Sequence, residues 1–176
     1  TAPAADSDIE SDIERLLPRL QQSEAFADGA SSVEMIETHI SWVLLTDRHA
    51  YKLKKPVHFD FVDFRTLDLR RRACRDEVRL NRRLADDVSV DVVPIVLSDQ
   101  GHPIVDPDDG DDFNSGNVIE WAVKMRRLPA DASLDQLLSA GQFDNAAIPQ
   151  IVDRLVPFFR CAEASALTAD EYLDRF

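Results

Sequence analysis

Ala50-Tyr51-Lys52-Leu53-Lys54-Lys55 decides how this 176-residue chain is read. The run follows Asp47-Arg48, placed where a tight hairpin turn would be, and is stopped by Pro56. Successive side chains of a strand point to opposite faces, so Ala50, Lys52 and Lys54 share one face while Tyr51, Leu53 and Lys55 share the other. Three of the four lysines in the whole chain lie here. Upstream, Val33 to Ile40 and Ser41 to Thr46 are short and rich in β-branched and aromatic residues, which predicts an antiparallel meander of three strands.

Further along, the pattern turns helical from Thr66, an N-cap residue type, to Ala85, with Leu69, Ala73, Leu80 and Leu84 on one stripe. Glu77 lies four residues after Ala73 and three before Leu80, which puts a carboxylate on that apolar stripe. A lone carboxylate is expensive to desolvate, so a buried Glu77 needs a cation or a proton. Lys52 and Lys54 are the nearest supply. The alternative is that Glu77 reaches solvent and the lysines decorate an edge strand.

The remaining segments give the architecture. Ser7-Asp8-Ile9-Glu10 has the form of a capping box, and Ile9, Ile13, Leu16, Leu17 and Leu20 recur at helical spacing, with a kink or break expected at Pro18. Ala27 to Ser32 suits a connector. Val57 to Arg65 reads as a linker whose Phe59, Phe61 and Phe64 should be tucked away. Val88 to Leu97 is a strand in which Pro94 points to an edge or a bulge, and the turn Ser98 to Gly101 leads to a return strand, His102 to Val105. Asp106 to Asn117 is expected to be a solvated loop, followed by a strand from Val118 to Met125. After Pro129 the pattern is helical, with a short helix capped by Ser133 and ending at Gly141, then a longer one from Ile148 to Ala166 with Pro149 in its first turn. The fold class is α+β, divided as 1–32, an N-terminal helix and connector; 33–128, a lobe of sheet and one long helix; and 129–176, helical.

Composition narrows the function. Twenty Lys and Arg against 33 Asp and Glu give a net charge of −13, and 44% of residues are hydrophobic, so a core can form while nonspecific nucleic-acid binding is disfavoured. Arg71, Arg75, Arg79 and Arg82 fall on one helical stripe, read as a solvated face balanced by Asp60, Asp63, Asp86 and Asp87. The apolar runs are too short to span a bilayer, and Thr1 to Asp12 lacks the form of a secretory signal, so no membrane partner and a cytoplasmic location are expected. Cys74 and Cys161 are expected to be buried thiols. The acidic run from Asp106 to Asp112 lacks calcium-loop spacing, and His39, His49 and His102 form no metal pattern.

Several stretches together carry a resemblance. They are Val33-Glu34-Met35-Ile36-Glu37-Thr38-His39-Ile40-Ser41-Trp42-Val43-Leu44-Leu45, Ala50 to Val57, Asp76-Glu77-Val78-Arg79-Leu80-Asn81-Arg82-Arg83-Leu84, Asp91-Val92-Val93-Pro94-Ile95, and Val118 to Pro129. Over roughly Val33 to Ala164 the chain resembles the bacterial aminoglycoside phosphotransferase-like family of predicted kinases. The resemblance implies a protein-kinase-like N-lobe, a hinge over Met125 to Pro129, and the first helices of a helical C-lobe. It also implies ATP with magnesium as cofactors and a small-molecule acceptor that the sequence does not identify. On this mapping Lys52 holds phosphates and Glu77 orients it, with Lys54 as the alternative phosphate lysine. Met125 stands behind the adenine, and the backbones of Arg126 and Leu128 bond its edge.

Two departures follow. The turn Thr38-His39-Ile40-Ser41 has no glycine where protein kinases carry a Gly-rich loop, so phosphate contacts there would come from the Thr38 or Ser41 hydroxyls and backbone amides. The family's catalytic loop and later metal-binding Asp do not occur before Phe176, and His58-Phe59-Asp60 is a poor match because it directly follows the third strand and lacks an Asn five residues on. The expectation is therefore the front portion of a longer phosphotransferase, with no catalytic or metal-binding residues in this stretch. The rival reading is a non-catalytic interaction or regulatory module of the same shape.

Overall fold

The computed structural model describes residues 7–106, 118–162, 168 and 173. The chain divides after Ala130 into two units. In the first, β1 (Glu34–Glu37), β2 (Ser41–Leu45) and β3 (His49–Lys54) form the expected meander. A small separate hairpin of β4 (His58–Phe59) and β5 (Val62–Asp63) follows, then α2 (Leu67–Asn81), with α1 (Ser7–Leu20) lying ahead of the sheet in sequence. The sheet is completed by β6 (Ser89–Leu97), β7 (Pro103–Val105) and β8 (Val118–Arg126). All neighbours are antiparallel, in the order β1-β2-β3-β8-β6-β7. The last strand thus enters beside the third, and β6 and β7 form the far side of the sheet beyond it.

Each face of the sheet buries a different helix. On one face Ile13 and Leu20 of α1, with Phe26 of the connector, pack on Trp42, Leu44, Tyr51 and Leu53. On the other, Cys74 and Val78 of α2 pack on Val123, with Val92, Trp121 and Met125 around them. Alternation in β3 sends Tyr51 and Leu53 to the first face and Lys52 and Lys54 to the second. Thr66 caps α2 by accepting from the Leu69 amide at 3.3 Å, an interaction that stabilises a helix by about 1 kcal/mol.

Several expectations are corrected. α1 runs past Pro18 to Leu20, so of the kink or break expected there the break does not occur; the proline removes a single amide donor from a 14-residue helix, which the remaining bonds tolerate. The buried residues of α2 are Arg70, Cys74 and Val78, whereas Leu80 is exposed and Leu69, Ala73 and Leu84 are half-buried. The apolar stripe is therefore offset by about one residue from Leu69, Ala73, Leu80 and Leu84. The helix also ends at Asn81, short of Ala85. β6 is an inner strand, not an edge. Its Pro94 carbonyl accepts from Asp106 at 3.0 Å, so the proline nitrogen faces the same side, beyond the end of the β6–β7 ladder, where no donor is needed. The register slips between Ile95 and Val96, next to the proline.

Of the linker aromatics only Phe64 is buried; Phe59 and Phe61 are exposed and stack on each other with centroids 5.7 Å apart. Cys74 is buried but Cys161 is exposed. The stretch 107–117, expected as a solvated loop, and residues 163–166, expected to end the last helix, lie outside the described residues. The second unit holds α3 (Leu134–Ser139) and α4 (Ala147–Cys161), with Gly141 at φ 66 in the connection between them. α4 leaves Ile148, Ile151, Val156 and Phe159 exposed. No described helix is long and apolar enough to cross a membrane.

Candidate functional site

The hydrogen-bond register sets the site out in rows. Val92, Val123, Lys52, Val43 and Ile36 lie opposite one another across five strands. One step along, Met125, Ala50 and Leu45 form a second row, and one step the other way Lys54 faces Ser41. α2 covers the Val92–Val123 end of the first row. At the other end Ile36 is exposed, and Val43 and Leu45 are half-buried. The result is a shelf of apolar side chains on the face that carries the lysines.

Glu77 reaches this face from α2. Lys52 Nζ donates to its Oε1 at 2.9 Å, and Lys54 Nζ donates to Oε2. The expected lysine–glutamate pairing is thus present, with both candidate lysines engaged at once. Their environments differ: the Lys52 side chain is 29% exposed, the Lys54 side chain 6%, and Glu77 17%. Lys54 also lies 5.5 Å from the centroid of the buried Phe64 ring. Burial alone would push the Glu77 carboxyl up. The hydrogen bonds from Lys54 and Lys52, together with their charges, outweigh it and hold the group below its ordinary range. Two ammoniums against one carboxylate leave a surplus positive charge in a chain whose net charge is −13. Such a surplus next to an apolar shelf suits a ligand with a flat apolar part and an anionic part.

The other expected residues fall as follows. Met125 is half-buried between the shelf and the α2 cluster. The Arg126 amide donates to Val88 O at 2.8 Å, so only the Arg126 carbonyl, not its amide, is available for a ligand edge. The Leu128 amide has no hydrogen-bond partner among the described residues, and its side chain is exposed. Lys55 is on the opposite face, ion-paired with Glu37 and 5.3 Å from the Trp42 ring centroid. In the turn before β2, Thr38 Oγ1 accepts from the Ser41 amide and donates to the Ser41 carbonyl, both at 3.0 Å. That hydroxyl closes the turn, and the Ser41 Oγ is buried, so neither is presented to a phosphate as expected.

One buried pair has no counterpart in the sequence reading. Arg70 Nε donates to Glu120 Oε2 at 2.7 Å, with both side chains 0% exposed. Arg70 Nη1 also donates to the carbonyls of Phe64 and Arg65, tying the linker to α2. Burial pushes the Glu120 carboxyl up to about 7, against the pull of Arg70. Burial likewise raises the neighbouring Cys74 thiol to about 12 and keeps it protonated. Nothing marks Arg70 among the arginines of its helix; in the sequence only the acid in the middle of β8 was a possible signal. The shelf residues Ile36, Val43 and Leu45 were missed too, although alternation from Lys52 through the hairpin would have found them.

Of the arginines expected to form a solvated face, Arg71 is instead half-buried, with its guanidinium 4.2 Å from the Trp121 ring centroid, while Arg75, Arg79 and Arg82 are exposed. Of the acids expected to balance them, Asp63 pairs with Arg65 and Asp87 with Arg126; Arg79 uses Asp76 instead. No group of three or more His, Cys, Asp or Glu among the described residues is placed to hold a metal ion.

The chain is 34% identical over 131 residues to proteins from Mycobacterium bovis and from two strains of Mycobacterium tuberculosis, each called an uncharacterized protein. The match takes in 74% of this chain and 23% of each relative, so the chain spans about a quarter of the length of the curated relatives it matches. No family model and no solved structure matches it.

Proposed function

We propose that the first unit is the nucleotide-binding lobe of a small-molecule kinase, of the kind found in the aminoglycoside phosphotransferase-like predicted kinases that the sequence resembles. The observation that carries this reading is the partly exposed Lys52, bonded to Glu77 at 2.9 Å and set in the same row as the half-buried Val43 and the exposed Ile36. A purine would lie against Ile36, Val43, Leu45 and Ala50, with its edge at the Arg126 carbonyl and the Leu128 amide. Lys52 would then meet the phosphates. A lysine on the third strand paired to a helix glutamate is how kinase-like folds hold a nucleotide for phosphoryl transfer.

In the longer protein the ligand would be ATP with magnesium, and the phosphate acceptor a small molecule. The described residues do not fit a magnesium site, so no step of transfer is assigned to them. Calorimetric titration of the chain with ATP and magnesium, beside adenosine and tripolyphosphate, tests the reading. ATP should bind more tightly than either part, because shelf and lysine act on different ends of one molecule. Absence of any heat up to millimolar ATP would sink it and leave the non-catalytic module of the same shape.

A further inference from the structure

Two lysines on one glutamate raise the question of what the second one is for. If a ligand draws Lys52 away, a glutamate with a single partner would be left as a nearly buried, uncompensated charge, at a penalty of several kcal/mol. Glu77 does not face that, because Lys54 occupies its other oxygen. The two ammoniums are also unequal in mobility. Lys54 is enclosed between Glu77 and Phe64, opposite the buried Ser41, whereas Lys52 stands at the margin of the open shelf.

We propose that Lys54 is a positioning residue, a fixed counter-charge that keeps Glu77 ionised and α2 docked while Lys52 is handed to the anionic ligand. The inference rests on the nucleotide-binding reading for the nature of that ligand, but not for the division of labour itself. Lys54 does not touch the ligand. It acts through Glu77, and its consequence is that ligand binding leaves α2 where it is. The helix is stapled to the sheet at two points about two turns apart, by Lys54 at Glu77 and by Glu120 at Arg70. A lobe built this way does not use outward movement of α2 as its resting state.

The test is a carbon-13 carboxyl NMR titration of Glu77 in the full chain, for wild type, Lys52→Met, Lys54→Met and Lys54→Arg, each without and with saturating ATP and magnesium. Without nucleotide, Lys52→Met should leave Glu77 titrating below the ordinary range, Lys54→Met should raise it by about one pH unit or more, and Lys54→Arg should restore it. With nucleotide, the wild-type Glu77 should stay low. Equal rises in Lys52→Met and Lys54→Met, or a rise in wild type when nucleotide is added, would overturn the proposal. If Lys54→Met fails to fold, Lys54→Met combined with Glu77→Gln should recover the fold, since it removes both charges; failure to recover would also overturn it. If wild type binds no ATP, the nucleotide-binding reading falls, while the arms without nucleotide still decide the role of Lys54.

Discussion

Two glutamates meet helix α2 in opposite ways. Glu120 comes from the sheet to Arg70 of the helix, one cation to one acid, both fully enclosed. Glu77 comes from the helix to two sheet lysines, and one of those lysines is partly open to solvent. The first arrangement leaves no charge to spare and no access, so it can only hold the linker, α2 and β8 together. The second leaves a surplus cation at a surface with uncovered apolar neighbours, so it can respond to a ligand. Seven residues apart on one helix, the same kind of ion pair is a staple in one place and a candidate binding group in the other. Stoichiometry and exposure separate them.

The largest expected effect is on the staple. Arg70→Ala leaves Glu120 buried without a cation and should destabilise the chain by about 3–5 kcal/mol in urea unfolding. Arg70→Met with Glu120→Leu should recover most of that loss, because two charges are removed together and the volume is kept. If the single substitution had little effect, the pair would have to be solvated in solution, and the contrast with Glu77 would disappear.

Next is the open pair. Lys52→Ala should weaken ATP binding roughly tenfold or more, the scale of a charge-assisted contact worth about 1.5–3 kcal/mol, with little change in unfolding. Folding would be spared because Lys54 still neutralises Glu77. A Lys52→Ala variant that unfolded as readily as Arg70→Ala would make both pairs staples.

The two glutamates should also respond oppositely to pH. Glu120 is raised from 4.5 to about 7, so the folded state holds its proton more tightly than the unfolded chain. Its contribution is fully present below pH 4.5 and is lost as pH rises through about 7. Glu77 is lowered from 4.5, so its contribution is present above that value and is lost as pH falls. Measured against Glu120→Gln, wild-type stability should decline between those two values by roughly 3 kcal/mol. Measured against Glu77→Gln, it should decline instead on acidification below the ordinary carboxylate range. Parallel slopes would show that one of the two environments has been misread.

How far the sequence spoke can be traced to these same residues. Alternation in Ala50 to Lys55 put Lys52 and Lys54 on one face, and a glutamate in an amphipathic helix called for a cation; both inferences are local and the structure joins their ends. The stripe that supported the second was displaced, since Arg70, Cys74 and Val78, not Leu69, Ala73 and Leu80, meet the sheet. The need for a cation at Glu77 was legible all the same, because position 77 lies on the expected stripe and next to the observed one. Arg70 was illegible for another reason. Its burial depends on Glu120, fifty positions away, and on two carbonyls of the linker, none of which helical periodicity can report. Pro94 left an edge or a bulge open, and the structure takes the second, with the register slipping between Ile95 and Val96; which of the two holds depends on the neighbouring strands, which local sequence does not report.

The smallest expected effect belongs to the third lysine of the run, and it bears on whether geometry or bulk charge matters. Lys55 is one residue from Lys54 but faces away from Glu77, and its partner Glu37 is 60% exposed. Ion pairs with one partner in solvent contribute little, so Lys55→Ala should lose mainly its packing on Trp42 and should change stability far less than Arg70→Ala does. ATP affinity should be unchanged, although the substitution removes the same unit of charge as Lys52→Ala from a site only three residues away. Long-range attraction of an anion to a lysine-rich strand would treat the two nearly alike and would fade with salt for both. An equal loss of ATP affinity in Lys55→Ala and Lys52→Ala, abolished together by added salt, would show that the strand attracts anions by charge alone. The open pair at Glu77 would then have no more claim to a ligand than the sealed one at Glu120.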